Sequence, residues 1–288
     1  MGYVDFILNL AGLLLWLNWR SNRFDPLVKR TPATLMGTLR PAAPKRLRRW
    51  HLLALLAVLL LVRAVVYRVI GSQTNWSGEL NLGCVVVWFS NNVPRWGGLC
   101  HMLLFSLFSF GLTLGIFYVC LLPLSLLAGP PPTHGLVKIP LGRIDDWPPW
   151  VKTLLPLLVT SMLWALSSWL LGRLQILPRV SPACRFEQSL VLAASSYVLW
   201  QYPLSAILVL HLLNSYIYFG KHPFWHYVSV TAQTLLRPLK KIPLRLGRVD
   251  FAPLVGMILI FLAAFIAENG IKRIKLPGLI EIYGQLPF

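Results

Sequence analysis

Apolar residues in this chain gather into six long runs, and the shorter stretches between them hold nearly all of the charge. A hydrocarbon core of about 30 Å takes roughly 20 helical residues. On that measure the runs predict transmembrane helices over Val4 to Trp19, His51 to Ile70, Gly98 to Leu127, Val151 to Leu174, Val191 to Phe219 and Phe251 to Glu268. The third and fifth are longer than a bilayer requires. Pro203 predicts a kink in the fifth, or its division into an interfacial segment from Phe186 to Gln201 and a span from Leu204 to Phe219. The pattern as a whole predicts an all-α polytopic bundle of about six helices, arranged as three hairpins with interfacial amphipathic helices. The first hairpin takes residues 1–70 and an extracytoplasmic loop takes 71–97. The second hairpin takes 98–174, and the third, with the C-terminal tail, takes 175–288.

The connecting segments carry a repeated phrase. Lys138-Ile139-Pro140-Leu141 with Gly142-Arg143-Ile144-Asp145 and Pro148 returns as Lys241-Ile242-Pro243-Leu244 with Gly247-Arg248-Val249-Asp250 and Pro253. Each copy lies just before an apolar run, which marks a repeated membrane unit. Three residues before its proline, each Asp is placed to cap free N–H groups of the coming helix, with the Arg two residues earlier paired to it or to a lipid phosphate. The phrase thus reads as a clamp that sets how the helix meets the bilayer. Two proline-bounded segments, Leu27 to Leu39 and Phe224 to Leu236, predict short helices on the membrane surface. Each ends at Leu-Arg-Pro, with Arg40 before Pro41 and Arg237 before Pro238, because a residue preceding proline resists helix. In the middle hairpin, Ala128 to Gly135 reads as a turn instead. Cys84 to Phe89 reads as a short strand or surface-lying segment of the outer loop.

Composition agrees with a membrane class. Of 288 residues 56% are hydrophobic and 12% charged, with 27 Lys and Arg against 9 Asp and Glu. That is too little charge to cover a soluble domain of this size. The basic residues lie between apolar runs and not on one soluble face, so the expected partner is not nucleic acid. Residues 20–50 hold nine Lys or Arg, 128–150 two and 220–250 six, while 71–97 hold Arg95 alone. The positive-inside rule then puts these three connections in the cytoplasm and both termini outside. Val4 to Leu17 is expected to remain as a span and not to act as a signal peptide, since no cation precedes it and Asp5 stands at its start. Cys84 and Cys184 fall on the outer side in this topology, which leaves a disulfide open.

Leu236-Arg237-Pro238-Leu239, Ile242-Pro243 and Gly247 through Asp250 with Pro253, running into an apolar helix, resemble the YggT (YlmG-like) family of bacterial and plastid membrane proteins. Lys240 and Lys241 stand in that family's basic positions, Arg248 where a glycine is frequent and Ala252 where a serine is frequent. The match is good over about 189–268, partial over 98–174 and faint over 4–70. The resemblance implies an integral protein of the bacterial plasma membrane without enzymatic activity, linked to osmotic or potassium homeostasis, cell division or assembly of cytochrome complexes.

The expected function is therefore that of an accessory, scaffold or assembly subunit in a larger complex. It would contact other integral membrane proteins and anionic lipids through Arg40, Arg143, Asp145, Arg237, Lys240, Lys241, Arg248 and Asp250. Two alternatives stay open. One is a small ion channel or transporter, although the spans read as lacking paired midplane charges. The other is a subunit binding haem or chlorophyll through His211 and His101, the former in a polar cluster with Asn214 and Tyr216. No catalytic arrangement and no metal-ligand spacing is read. Glu187 and Glu268 are expected as interfacial carboxylates, and Ser106, Ser109, Thr160, Ser161, Ser167 and Ser168 as marks of close helix packing.

Overall fold

The computed structural model describes residues 2–21, 49–74, 78–82, 86–89, 96–127, 135–177, 181–217, 223–239, 245–246 and 249–273. Helix dominates them. Six helical segments are long and apolar enough to cross a membrane: Gly2–Ser21, Trp50–Gly71, Gly98–Leu127, Pro149–Arg173, Pro182–Tyr216 and Ala252–Ile271. They coincide with the six runs read from the sequence, and they make the chain a multi-pass integral membrane protein. Their outward faces remain apolar, with Leu61 and Val65, Leu158 and Met162, and Ile258 and Phe265 exposed. In a bilayer such faces meet lipid tails and not water.

The chain divides into two compact units, residues 1–78 with 90–113, and residues 79–89 with 114–288. The first contains α1 (Gly2–Ser21), α2 (Arg49–Thr74) and the leading part of α3 (Trp96–Leu127). Gly12 of α1 lets the helices close up. A Cβ there would come within 2.8 Å of the Phe110 ring and 3.5 Å of Leu56. Because Gly12 meets Leu56 while Asp5 meets Arg63, α1 and α2 run antiparallel.

The second unit holds the rest of α3, then α4 (Gly135–Leu141), a 3₁₀ turn (Gly142–Asp146), α5 (Pro149–Arg173) and α6 (Pro182–Ser195). After a 3₁₀ segment (Ser196–Trp200) follow α7 (Gln201–Tyr216), α8 (Pro223–Leu235) and α9 (Ala252–Arg273). The Ser181 hydroxyl caps α6 by accepting the Cys184 N–H at 3.3 Å, and Pro182 fills the first helical position, where its missing N–H costs nothing. The long fifth run remains one helical segment from Pro182 to Tyr216, with a 3₁₀ stretch at Ser196–Trp200 just ahead of Pro203. Proline removes the bond to the carbonyl four residues earlier and crowds it, so the distortion falls on the preceding turn.

The core of this unit joins Leu122 of α3, Leu141 of α4, Leu208 of α7 and Val228, Ala232 and Leu236 on or just after α8. Helix α8 matches the amphipathic helix expected over Phe224 to Leu236, and its apolar face is buried against neighbouring helices of the unit. Gly256 permits α9 to approach. A Cβ there would lie 2.9 Å from Leu236 and 3.1 Å from Leu208.

Among the described residues, strands form two small sheets, β1 (Gly78–Asn81) with β2 (Val86–Phe89), and β3 (Arg245–Leu246) with β4 (Val249–Asp250). The first pair matches the strand reading of Cys84 to Phe89. The second is antiparallel, with Arg245 opposite Asp250 and Leu246 opposite Val249. The repeated phrase therefore takes two backbone forms, a 3₁₀ turn in its first copy and a tight strand pair in its second. Both precede a membrane helix. The helix expected over Leu27 to Leu39 and the residues Cys84, Arg40, Lys240, Lys241 and Arg248 lie outside the described residues, as does any pairing of Cys84 with Cys184.

Candidate functional site

Two buried polar clusters stand out, one in each unit. In the first unit Arg63 projects from α2 eight residues, or about 12 Å of helix rise, before Gly71, and is 2% exposed. Its guanidinium donates four hydrogen bonds. Nε donates to the Tyr67 hydroxyl at 3.1 Å and one terminal nitrogen to Asn9 Oδ1 at 2.6 Å. The other donates to the Asp5 carboxylate and to Ser109 Oγ, both at 2.9 Å. Tyr67 also donates to Asp5, and Asn9 donates to Ser109. The Tyr67 and Phe105 rings lie beneath the cation, with centroids 5.3 and 5.7 Å away. The cluster draws on α1, α2 and α3.

The spans were expected to lack paired midplane charges; the structure shows an ion pair within two of them, Asp5 with Arg63, with Asp5 in the first turn of α1 and not at its middle. A signal was present in the sequence. Asp5 and Asn9 are four apart, as are Arg63 and Tyr67, so each pair shares one helix face.

The second cluster contains the first copy of the repeated phrase. Helix α4 ends at Gly142, whose φ of 62° is the left-handed conformation that glycine reaches without strain. The 3₁₀ turn then delivers Asp145 inward while Arg143 stays exposed. Asp145 accepts the Ser125 hydroxyl of α3 at 2.5 Å, Lys152 Nζ donates to that same oxygen at 2.8 Å, and Lys152 and Asp145 are 3.6 Å apart. The Lys152 and Asp145 side chains are only 8% and 4% exposed.

The expected helix cap is corrected here as well. Helix α5 begins after Pro148 with no side-chain cap, its first position taken by Pro149. A cation in the first turn of a helix opposes the macrodipole, and the Asp145 carboxylate offsets that charge. Nearby, Tyr227 of α8 donates to the Leu124 carbonyl at 3.2 Å. Burial pushes its hydroxyl up from the ordinary value near 10 to about 12, and the Asp145 charge adds to the rise.

Outside these clusters, Arg143 lies exposed on the 3₁₀ turn, the exposed Trp147 follows that turn and the exposed Trp150 lies at the start of α5. Arg237 is exposed just beyond α8. Asp250 lies in β4, opposite Arg245. His101 belongs to α3 in the first unit and His211 to α7 in the second, so each is described within its own unit. Among the described residues no group of three or more His, Cys, Asp or Glu is placed to hold a metal ion. Glu268 is exposed, whereas Glu187 has one buried carboxylate oxygen without a hydrogen-bond partner.

The serines divide by role. Ser106 bonds the Leu60 carbonyl of a neighbouring helix and Ser109 joins the Arg63 cluster, as close helix packing requires. Ser161, Ser167 and Ser168 instead bond carbonyls of their own helix α5. Compared with known proteins, the chain matches no family model, no curated protein and no solved structure.

Proposed function

We propose that this chain is a non-enzymatic scaffold or assembly subunit of YggT-like type, which holds other integral membrane proteins in a larger complex and engages anionic lipid through its basic turns. The observation that supports this reading is how charge is partitioned. Asp5 and Asp145 are taken up by Arg63 and Lys152 in buried pairs, while Arg143 and Arg237 stand exposed at helix ends. Arg143 is followed within seven residues by the exposed Trp147 and Trp150, a residue type that settles at the headgroup level. A guanidinium fits phosphate with two parallel hydrogen bonds. Near an anionic leaflet each basic residue contributes about 1 kcal/mol, so Arg143 and Arg237 each add to the attraction, and the sequence supplies further cations in Arg40, Lys240, Lys241 and Arg248. In this reading the membrane is a bacterial plasma membrane, the termini lie outside and the basic connections lie in the cytoplasm. The internal pairing speaks against the ion-transport alternative, because Asp5 and Asp145 already have cations.

The test is lipid retention after mild extraction. Full-length protein is reconstituted in discs of mixed anionic and zwitterionic phospholipid, and bound lipid is read by mass spectrometry. Replacing Arg143 with Ala, and Trp147 and Trp150 together with Ala, is expected to lower anionic lipid retention, while Leu158→Ala leaves it unchanged. Equal retention in all variants counts against the reading. Ion flux above that of protein-free liposomes would favour transport, and a visible absorbance band in the purified protein would favour a pigment at His101 or His211.

A further inference from the structure

We propose that the Asp5–Arg63 pair is the latch that holds α1 in the membrane, so that the first helix spans the bilayer through polar docking on α2 and α3 more than through its own hydrophobicity. Three observations carry this. Helix α1 and the Pro182–Tyr216 segment stand at the least apolar end of the six candidate spans. Among its residues only Gly12 is fully buried, so apolar packing holds it weakly. Its polar side chains Asp5 and Asn9 both end on Arg63, the largest fully buried side chain among the described residues.

A guanidinium within a span is costly unless paired, and so is a carboxylate. Each charge therefore makes the other's helix admissible. Arg63 needs Asp5, Asn9, Tyr67 and Ser109 to satisfy its donors. The first unit is complete only when α1 and the leading part of α3 have both reached α2. That gives this unit a checkpoint in its assembly, with the buried cation sensing whether α1 has arrived.

The test separates the latch from hydropathy, because the two give opposite signs. Asp5→Leu makes α1 more apolar, so hydropathy alone expects it to insert at least as well as the wild type. The latch expects the reverse, since Arg63 loses its counter-charge. In the full-length chain, a small tag ahead of residue 1 is read for accessibility from either side of the membrane, and folded yield is read by size-exclusion chromatography in mild detergent. Asp5→Leu and Arg63→Leu are each expected to reduce the correctly inserted fraction by about tenfold or more, the scale of an uncompensated buried charge. Asp5→Leu with Arg63→Leu is expected to recover most of it, and the swap Asp5→Arg with Arg63→Asp part of it. Wild-type insertion of Asp5→Leu overturns the proposal. So does a double variant no better than the worse single, because the recovery is what a general folding defect would not give.

Discussion

Removing the Asp145 carboxylate should damage the protein far more than removing its neighbour Arg143, although both belong to the same repeated phrase. Asp145→Ala leaves the Lys152 ammonium buried at 8% side-chain exposure, with Ser125 as its remaining hydrogen-bond partner of the pair. Breaking a buried ion pair by deleting one member costs about 3–5 kcal/mol, because the surviving charge is desolvated without compensation. Taking the lower part of that range, and the scale of large soluble domains, the melting temperature of detergent-solubilised protein should fall by about 10 °C. Arg143→Ala removes an exposed side chain and should stay within about 0.5 kcal/mol of the wild type. The control is Asp145→Leu with Lys152→Met, which replaces both charges by apolar groups of comparable size and should recover most of the loss. The assay is thermal unfolding followed by size-exclusion chromatography, with all four proteins in one detergent and lipid mixture. Equal melting temperatures for Asp145→Ala and the wild type would refute the reasoning, as would a double variant that loses the sum of its parts.

Tyr227 supplies a pH dependence. Its folded value of about 12 lies above the ordinary value near 10, so its contribution to stability is intact below pH 10 and is lost as pH rises toward 12. A shift of that size corresponds to roughly 2–3 kcal/mol; Tyr227→Phe should flatten the stability curve in this window, as ultraviolet titration combined with thermal melts will read. Gly256→Val should cost about 1–3 kcal/mol through overpacking against Leu208 and Leu236. Gly111→Ala, where a Cβ would meet nothing within 4 Å, should be neutral or stabilising by up to about 1 kcal/mol in the same melts.

The six spans were legible in the sequence because a bilayer imposes length and apolarity on each helix independently of the others. Helix α8 and the strand β2 were legible for the related reason that amphipathic spacing and β-branched runs are local signals. The ion pairs were not, because each depends on which helix faces which. Lys152 reads as one cation at the margin of an apolar run, and only the turn at Gly142 aims Asp145 back toward it and Ser125. Asp5 and Arg63 are separated by 57 intervening residues, and no local pattern joins them. The four-residue spacing of Asp5 with Asn9, and of Arg63 with Tyr67, was nevertheless present in the sequence as an unread sign of common faces. Two such faces of opposite charge in consecutive spans are a readable hint of partnership. The repeated phrase was legible as a repeat but not as two backbone forms, since nothing in Gly-Arg-(Ile/Val)-Asp distinguishes a 3₁₀ turn from a strand pair.

The most direct test of the scaffold reading is the mass of the chain after gentle native extraction from its own membrane. The account expects a complex heavier than one 32.6 kDa chain, containing other integral membrane proteins in fixed ratio and retaining anionic lipid. A solitary, lipid-free monomer that is stable and fully folded would contradict it.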